Sequence, residues 1–241
     1  MAGINKGVQA RVLKEYPRAS FILCTSHSLN LVVSDGARSS VKSTSLFGVI
    51  QQLYTIFAGS TKRYCIVSEH IQSLSLKQVC ETRWEARISL IQAIRYQYAE
   101  VRQALIELAD SVDDPKTVSE AQSLIKHMED FSFLTCLIVW HDFLFQVNVV
   151  SKTLQGKMAD LTSAKKLLDN CQEFLSSFRE KGLLDAMISV KEIAKELEIE
   201  PVFTAERMRK KSKQFSYEGS DEVVPWKSFL REMFSYPLLT V

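Results

Sequence analysis

The chain has 241 residues, of which only 8 are glycine and 5 are proline, too few turn-forming residues for a sandwich or barrel of many short strands. Hydrophobic residues make up 46% and charged residues 24% of the chain, and these globular values exclude wholesale disorder. Thirty basic and 28 acidic side chains leave a net charge of +2, so a site for nucleic acid would have to be a local basic patch.

Cysteine usage and hydropathy predict the compartment. The 5 cysteines are odd in number and scattered along the chain, which is typical of a reducing environment. The opening residues lack the apolar segment of a signal peptide. The most apolar stretch, Phe131 to Val150, is interrupted by Asp142, whereas a membrane span needs about 20 apolar residues. We therefore expect an intracellular protein without a membrane segment.

The first 40 residues predict a helix, a strand and a second helix. Apolar residues of Gly7–Tyr16 recur at helical spacing until Pro17 ends the pattern. Residues Ala19–Cys24 predict a short buried strand, after which Thr25 or Ser26 can cap the next helix. One strand cannot form a sheet, so this region resembles a fragment of an α/β unit.

From residue 41 onward the spacing of apolar residues predicts only helices. They cover Ser45–Ala58, Arg63–Ile71, Arg83–Asp110, a helix that opens at Asp114-Pro115 and extends to Leu154, Leu161–Lys181, and Leu183–Leu197. Pro201 ends the pattern, and a basic linker and tail follow. We predict a mainly α fold in three parts, residues 1–40, 41–200 and 201–241.

The Cys24-Thr-Ser-His27 motif has the spacing of half a zinc site. Tetrahedral zinc needs four ligands, and only Cys65 and His70 are nearby candidates for the other two. The alternative is a buried cysteine that ends the strand and a histidine at the start of the helix. On its spacing alone, the motif favours this alternative.

The Thr82-Arg-Trp-Glu85 motif has the spacing of a capping box at a helix N-terminus. Arg83 and Trp84 would then project from the first turn, where the backbone amides favour an anion. A guanidinium beside an indole suits a phosphate and an unpaired base, which predicts a partly exposed Trp84. In the alternative, Trp84 packs in the core and Arg83 is a solvated charge.

The Trp140-His-Asp142 motif lies within the most apolar predicted helix. Neighbouring residues of a helix point about 100° apart, so we predict that His141 and Asp142 do not form a hydrogen-bonded acid–base pair. A structural role is the favoured interpretation.

A basic run over Arg207–Lys213 has 5 basic residues among 7. Three interpretations remain open: a solvated linker, a nuclear localisation signal and a phosphate contact.

Several motifs, in the same order, resemble the transposases of the hAT superfamily. The nearest branch resembles the zinc finger MYM-type protein 1-like proteins, many of which derive from transposases. The motifs are Asn5-Lys-Gly-Val-Gln-Ala-Arg-Val-Leu13, Cys24-x-x-His27-Ser-Leu-Asn-Leu31, Glu81-Thr-Arg-Trp84, Trp140-His-Asp-Phe-Leu-Phe-Gln-Val-Asn148 and Val150-Ser-Lys-x-Leu-Gln155.

The resemblance implies an RNase H-like catalytic fold that a large all-helical insertion interrupts. Residues 1–40 would be a partial α/β remnant of that fold, and residues 41–200 the insertion domain. Members of the family cut DNA with two Asp and one Glu that hold Mg²⁺ or Mn²⁺. Their Cys-x-x-His and Arg-Trp motifs lie near the active site, which assigns DNA contacts to Cys24, His27, Arg83 and Trp84.

The catalytic carboxylates of the family have no counterpart in these residues. Both Asp positions would precede Met1 and the Glu would follow Val241, while Glu15 and Asp35 match neither. Holding two metal ions about 4 Å apart requires such carboxylates. We therefore expect no catalytic residue, no metal ligand and no cofactor in this chain.

Taken together, these features predict a truncated, transposase-derived protein that is catalytically inactive alone. The expected partners are DNA and related full-length transposase-like proteins, with no membrane, and the nucleus is favoured over the cytoplasm. The alternative is a helical protein-interaction module or a transposon relic. The candidate DNA-binding residues are Cys24, His27, Arg83, Trp84, Arg207, Arg209, Lys210 and Lys211.

Overall fold

The computed structural model describes residues 7–19, 25–71, 73, 76, 84–155, 161–178 and 183–203. About 85% of these residues are helical and none is in a strand. This confirms the prediction of a mainly α fold. Apart from Ala19, the predicted strand Ala19–Cys24 lies outside the described residues, and the division into three parts stays a prediction.

Ten α-helices occur in the described residues, close to the predicted ones in most cases. They are α1 (Val8–Glu15), α2 (Thr25–Ser39), α3 (Val41–Ala58), α4 (Thr61–His70), α5 (Trp84–Tyr96), α6 (Tyr98–Ser111), α7 (Pro115–Met128), α8 (Phe131–Leu154), α9 (Leu161–Ser177) and α10 (Leu183–Glu196).

Helix α8 forms the centre of the core. Every residue from Phe131 to Leu144 is buried except Asp142, which is half-buried. A helix that is apolar on all sides must be covered on all sides, and α2, α3, α5, α7, α9 and α10 all pack against α8. This arrangement places the two ends of α5 against two different segments of α8.

By length and hydropathy alone, α8 could cross a membrane, but 72% of its most apolar window is buried inside the protein. The core helix of a globular protein meets the same criterion, so the match is weak evidence for a span.

The prediction of one helix over Arg83–Asp110 was wrong, because the helix breaks at Gln97 between α5 and α6. The backbone of Gln97 leaves the helical region (φ −132°, ψ 41°). Its buried side chain accepts hydrogen bonds from the backbone and hydroxyl of Ser73 and donates one to the carbonyl of Ala93. The helical spacing of apolar residues continues through Gln97, so the sequence pattern does not predict the break there.

The prediction of one helix from Asp114 to Leu154 was also wrong, because α7 ends at Met128 and Asp130 caps a new helix. The Asp130 carboxylate accepts a hydrogen bond of 2.8 Å from the backbone N–H of Ser132. The hydroxyl of buried Tyr98 donates to the carbonyl of Met128, and burial raises the pKa of Tyr98, which keeps this donor protonated. The C-terminus of α7 and the N-terminus of α8 each gain a partner for one of their free backbone groups.

Helix α1 differs from the others, because none of its residues is buried. Its apolar side chains Val8, Val12 and Leu13 and the adjacent Tyr16 are all exposed.

Candidate functional site

Trp84, the first residue of α5, is only 2% exposed. Its indole N–H points at α2, with the carbonyl oxygen of Asn30 at 3.0 Å and the hydroxyl oxygen of Ser34 at 2.9 Å. The prediction of a partly exposed indole was therefore wrong. Burial of the apolar ring stabilises the fold. The indole N–H, which is the ring's only polar group, donates to acceptors inside the protein.

An aromatic cluster surrounds this indole. The ring of Trp140 on α8 is stacked on Trp84 at a centroid distance of 6.3 Å and an interplanar angle of 15°. Phe47 on α3 meets both indoles edge-on at 5.4 and 5.2 Å, and Phe143 meets Trp140 edge-on at 5.3 Å. We call these four residues the tryptophan cluster; it joins three helices to α2.

The guanidinium that lies against Trp84 belongs to Arg87. Its central carbon is 4.5 Å from the Trp84 ring centroid and 5.3 Å from that of Phe47. A cation over an aromatic face is attracted by the ring quadrupole. Arg83, the predicted neighbour, and Thr82, the predicted capping residue, lie outside the described residues. The predicted capping box therefore stays a prediction.

The tryptophan cluster brings together three motifs that are far apart in the sequence. Asn30 belongs to the motif that begins at Cys24, Trp84 closes the Glu81-Thr-Arg-Trp84 motif, and Trp140 opens the third. Direct hydrogen bonds and ring contacts join all three. Three of the five segments that carry the resemblance thus meet at one point of the fold.

The remaining predicted site residues are only partly placed. His27 lies in the first turn of α2, whereas Cys24 and the run Arg207–Lys213 fall outside the described residues. Within those described residues, no group of three or more His, Cys, Asp or Glu could hold a metal ion. Of the suggested second half of a zinc site, Cys65 is exposed and His70 Nε2 lies 2.7 Å from Glu107 Oε2.

A second cluster, which is polar, lies at the other end of α5. It was not predicted from the sequence. His141 Nδ1 lies 2.9 Å from Asp142 Oδ1, and the guanidinium of Arg95 contacts both side chains. The prediction that these neighbours would not hydrogen-bond was wrong. The two side chains leave the helix about 100° apart, but both turn towards the guanidinium of Arg95 on α5.

The electrostatics of this second cluster favour an ionised carboxylate. Burial would by itself raise the pKa of Asp142, but the hydrogen bonds from His141 and Arg95 and the positive charge of Arg95 together lower it. The arrangement needs a cation that lies 46 residues away from His141 in sequence, and no local motif indicates it.

Comparison with known proteins gives distant relatives. The human protein named "52 kDa repressor of the inhibitor of the protein kinase" is 24% identical over 172 residues, which cover 65% of this chain and 22% of that protein. Its mouse counterpart is 24% identical over 180 residues, 68% of this chain and 23% of the relative. The chain therefore spans less than a quarter of the length of these relatives. No family model matches it, and no solved structure does.

Proposed function

We propose that this chain is the helical part of a protein derived from an hAT transposase, and that it contacts DNA without cutting it by itself. The observation that carries the proposal is the convergence of three motif segments in the tryptophan cluster. Segments that act together in one family are expected to lie together in the fold, as these do. In this proposal residues 1–40 are the remnant of an RNase H-like core and residues 41–200 are the helical insertion.

Trp84 acts in this proposal as a positioning residue and does not itself stack on a base. Its buried ring and its two hydrogen bonds fix the start of α5 against α2. The residue before it in the chain is Arg83, and the residues before α2 include Cys24. Trp84 therefore ties together the two segments to which the resemblance assigns DNA contacts.

The DNA contacts themselves are assigned to Cys24, His27 and Arg83 and to the basic run, of which Arg207, Arg209, Lys210 and Lys211 are the candidates. Neutralising phosphates with several Lys and Arg side chains supplies affinity without a large net charge on the protein. The same basic run is proposed to favour the nucleus.

Salt dependence tests this proposal. Binding of a fluorescent hairpin DNA, measured by anisotropy between 50 and 200 mM salt, should weaken steeply as salt rises. Arg83→Ala, and alanine at the four basic positions, should weaken binding and reduce the salt slope. Lys116→Ala, which removes an exposed lysine outside the motifs, should leave both unchanged. Binding absent at 50 mM salt, or insensitive to salt, would contradict the proposal.

The absence of cleavage is tested separately. Among the 241 residues none matches a metal-binding carboxylate of the family, so supercoiled plasmid should stay intact with Mg²⁺ or Mn²⁺. Nicking that rises with dose and copurifies with the chain would overturn this part of the proposal.

A second candidate function, a protein-interaction module, is favoured by the names of the relatives. Those names describe repression of the inhibitor of a protein kinase. Its partner would then be a related full-length transposase-like protein. Pull-down by such a protein, together with no affinity for DNA at low salt, would support this second function against the first.

A further inference from the structure

The end of the α5–α8 pair distant from Trp84 carries a group of side chains that the proposed function does not use. The two helices run antiparallel, since Glu85 pairs with Lys152 at one end and Arg95 with Asp142 at the other. We call Arg95, Tyr96, His141, Asp142 and Phe145 the His141 cluster.

Two exposed aromatic rings flank the buried imidazole of this cluster. Tyr96 is 60% and Phe145 45% exposed, whereas His141 is only 6% exposed. Phe145 lies nearly parallel to His141, with ring centroids 6.1 Å apart, and Tyr96 meets the imidazole edge-on at 5.6 Å. Aromatic faces around a small number of fixed polar atoms are typical of binding sites for planar ligands.

One atom of His141 lacks the partner that its burial requires. Arg95 and Asp142 both lie at Nδ1, while Nε2 is buried and has no hydrogen-bond partner among the described residues. Nearly all buried polar atoms in native proteins are paired. A ligand whose polar edge reaches Nε2 would supply the missing partner.

We propose that the His141 cluster binds a nucleobase, stacked on the exposed ring of Phe145, in edge contact with Tyr96, and hydrogen-bonded through its own edge to Nε2. The edge of a base presents both donors and acceptors, so it can pair with Nε2 whether that nitrogen accepts or donates a hydrogen bond. Every base also has a face on which an aromatic side chain can stack. A simple anion would instead meet the ionised carboxylate of Asp142, and a purely apolar ligand would leave Nε2 unpaired.

The base can come from a single strand or from a free nucleotide. For a base within DNA the inference rests on the proposed function, whereas for a free nucleotide it does not. Since Nε2 is buried, the cluster must open for a ligand to reach it.

Two alanine variants test the stacking. Affinity is measured by anisotropy for a labelled single-stranded dT oligomer and for an abasic oligomer of the same length, and by calorimetry for free dTMP. Phe145→Ala and Tyr96→Ala should each weaken oligomer binding by at least about fivefold, and should leave abasic binding unchanged. The matched controls, Tyr16→Ala and Ile188→Ala, also remove exposed side chains and should bind like the parent.

A third variant tests the hydrogen bond. His141→Phe keeps a ring between Tyr96 and Phe145 and leaves the Arg95–Asp142 pair in place, but it removes Nε2. Base binding should fall, whereas the loss of the Nδ1 hydrogen bond to Asp142 should lower the thermal midpoint of unfolding only slightly. A lowered midpoint with unchanged base affinity would mean that His141 serves packing alone.

The outcomes separate this inference from the proposed function. If Phe145→Ala and Tyr96→Ala leave oligomer binding unchanged, the nucleobase site is overturned. The salt-dependent DNA contacts of the proposed function are not affected by that result. Binding of dTMP without binding of DNA supports the site and overturns the proposed function. Failure of both probes to bind overturns the site. Self-association that Phe145→Ala abolishes, with nucleotide binding unaffected, would assign the surface to a second copy of the chain.

Discussion

The two ends of the α5–α8 pair use the same kinds of side chain for opposite purposes. At the Trp84 end, two indoles are buried and both indole N–H groups donate to acceptors inside the protein. At the Arg95 end, Tyr96 and Phe145 keep much of their surface in water, and His141 keeps a buried nitrogen without a partner among the described residues.

An aromatic residue beside an arginine therefore does not by itself indicate a binding site. Arg87 lies over the buried Trp84, and Arg95 lies over the exposed Tyr96 at 5.7 Å. What separates the two ends is whether the aromatic rings are buried. An end with buried rings stabilises the fold, whereas an end with exposed rings beside a few fixed polar atoms suits recognition.

Truncating an indole should have the largest effect. Trp84→Ala removes a 2% exposed ring and should lower the free energy of unfolding by about 3–5 kcal/mol, measured by urea denaturation. Tyr96→Ala, at the open end, should change it by less than about 0.5 kcal/mol. Equal effects of the two variants would abolish the distinction between the two ends.

The helical fold was predictable from sequence because apolar spacing and N-caps are local signals. Pro17 after α1 and Asp114-Pro115 before α7 marked helix ends correctly. The breaks at Gln97 and Asp130 were missed, because the apolar spacing does not change there. At Gln97 the decisive contact comes from Ser73, which is distant in sequence.

The candidate site was predictable only in part. The sequence identified Trp84 and Trp140 as members of motifs, but not that their rings stack, since stacking depends on how α5 and α8 pack. Likewise, the oxygen atoms that accept the hydrogen bonds of the Trp84 indole lie on α2, more than 45 residues away in sequence. Arg95 carried no local signal at all, because its partners His141 and Asp142 lie on another helix.

A buried hydroxyl at the Trp84 end should have the next largest effect. The indole N–H of Trp140 donates to the hydroxyl of Ser43 at 3.0 Å, and Ser43 is fully buried. Ser43→Ala leaves that donor without its acceptor and should cost about 1–3 kcal/mol, measured as a shift in the urea midpoint. The control is Ser176→Ala, since Ser176 is an exposed serine whose hydroxyl donates to a backbone carbonyl of its own helix. Ser176→Ala should shift the urea midpoint much less than Ser43→Ala does.

The open end should respond to acid. Because the pKa of Asp142 is lower in the folded protein than its usual value of about 3.9, the carboxylate stabilises the fold above that pH. This stabilisation is lost as the pH falls through the folded pKa. Asp142→Asn should therefore lower stability at pH 6, and the difference from the parent should shrink towards pH 3. The pKa of Asp114 is lowered too, by its hydrogen bonds to Thr117, and so only the difference curve isolates Asp142. A difference independent of pH would contradict the ionised pair.

The smallest effect is expected at the exposed ion pair that closes the Trp84 end. Lys152 Nζ and Glu85 Oε1 are 3.1 Å apart, but both side chains are more than half exposed. Water and salt screen such a pair, so Lys152→Met should change the free energy of unfolding by less than about 1 kcal/mol, and by less still at 1 M salt. The Arg95–Asp142 pair joins the same two helices from a more buried position, so Arg95→Met should cost more and depend less on salt. If Lys152→Met were instead the more destabilising of the two, the start of α5 would be held by charge, and not by the buried indole of Trp84.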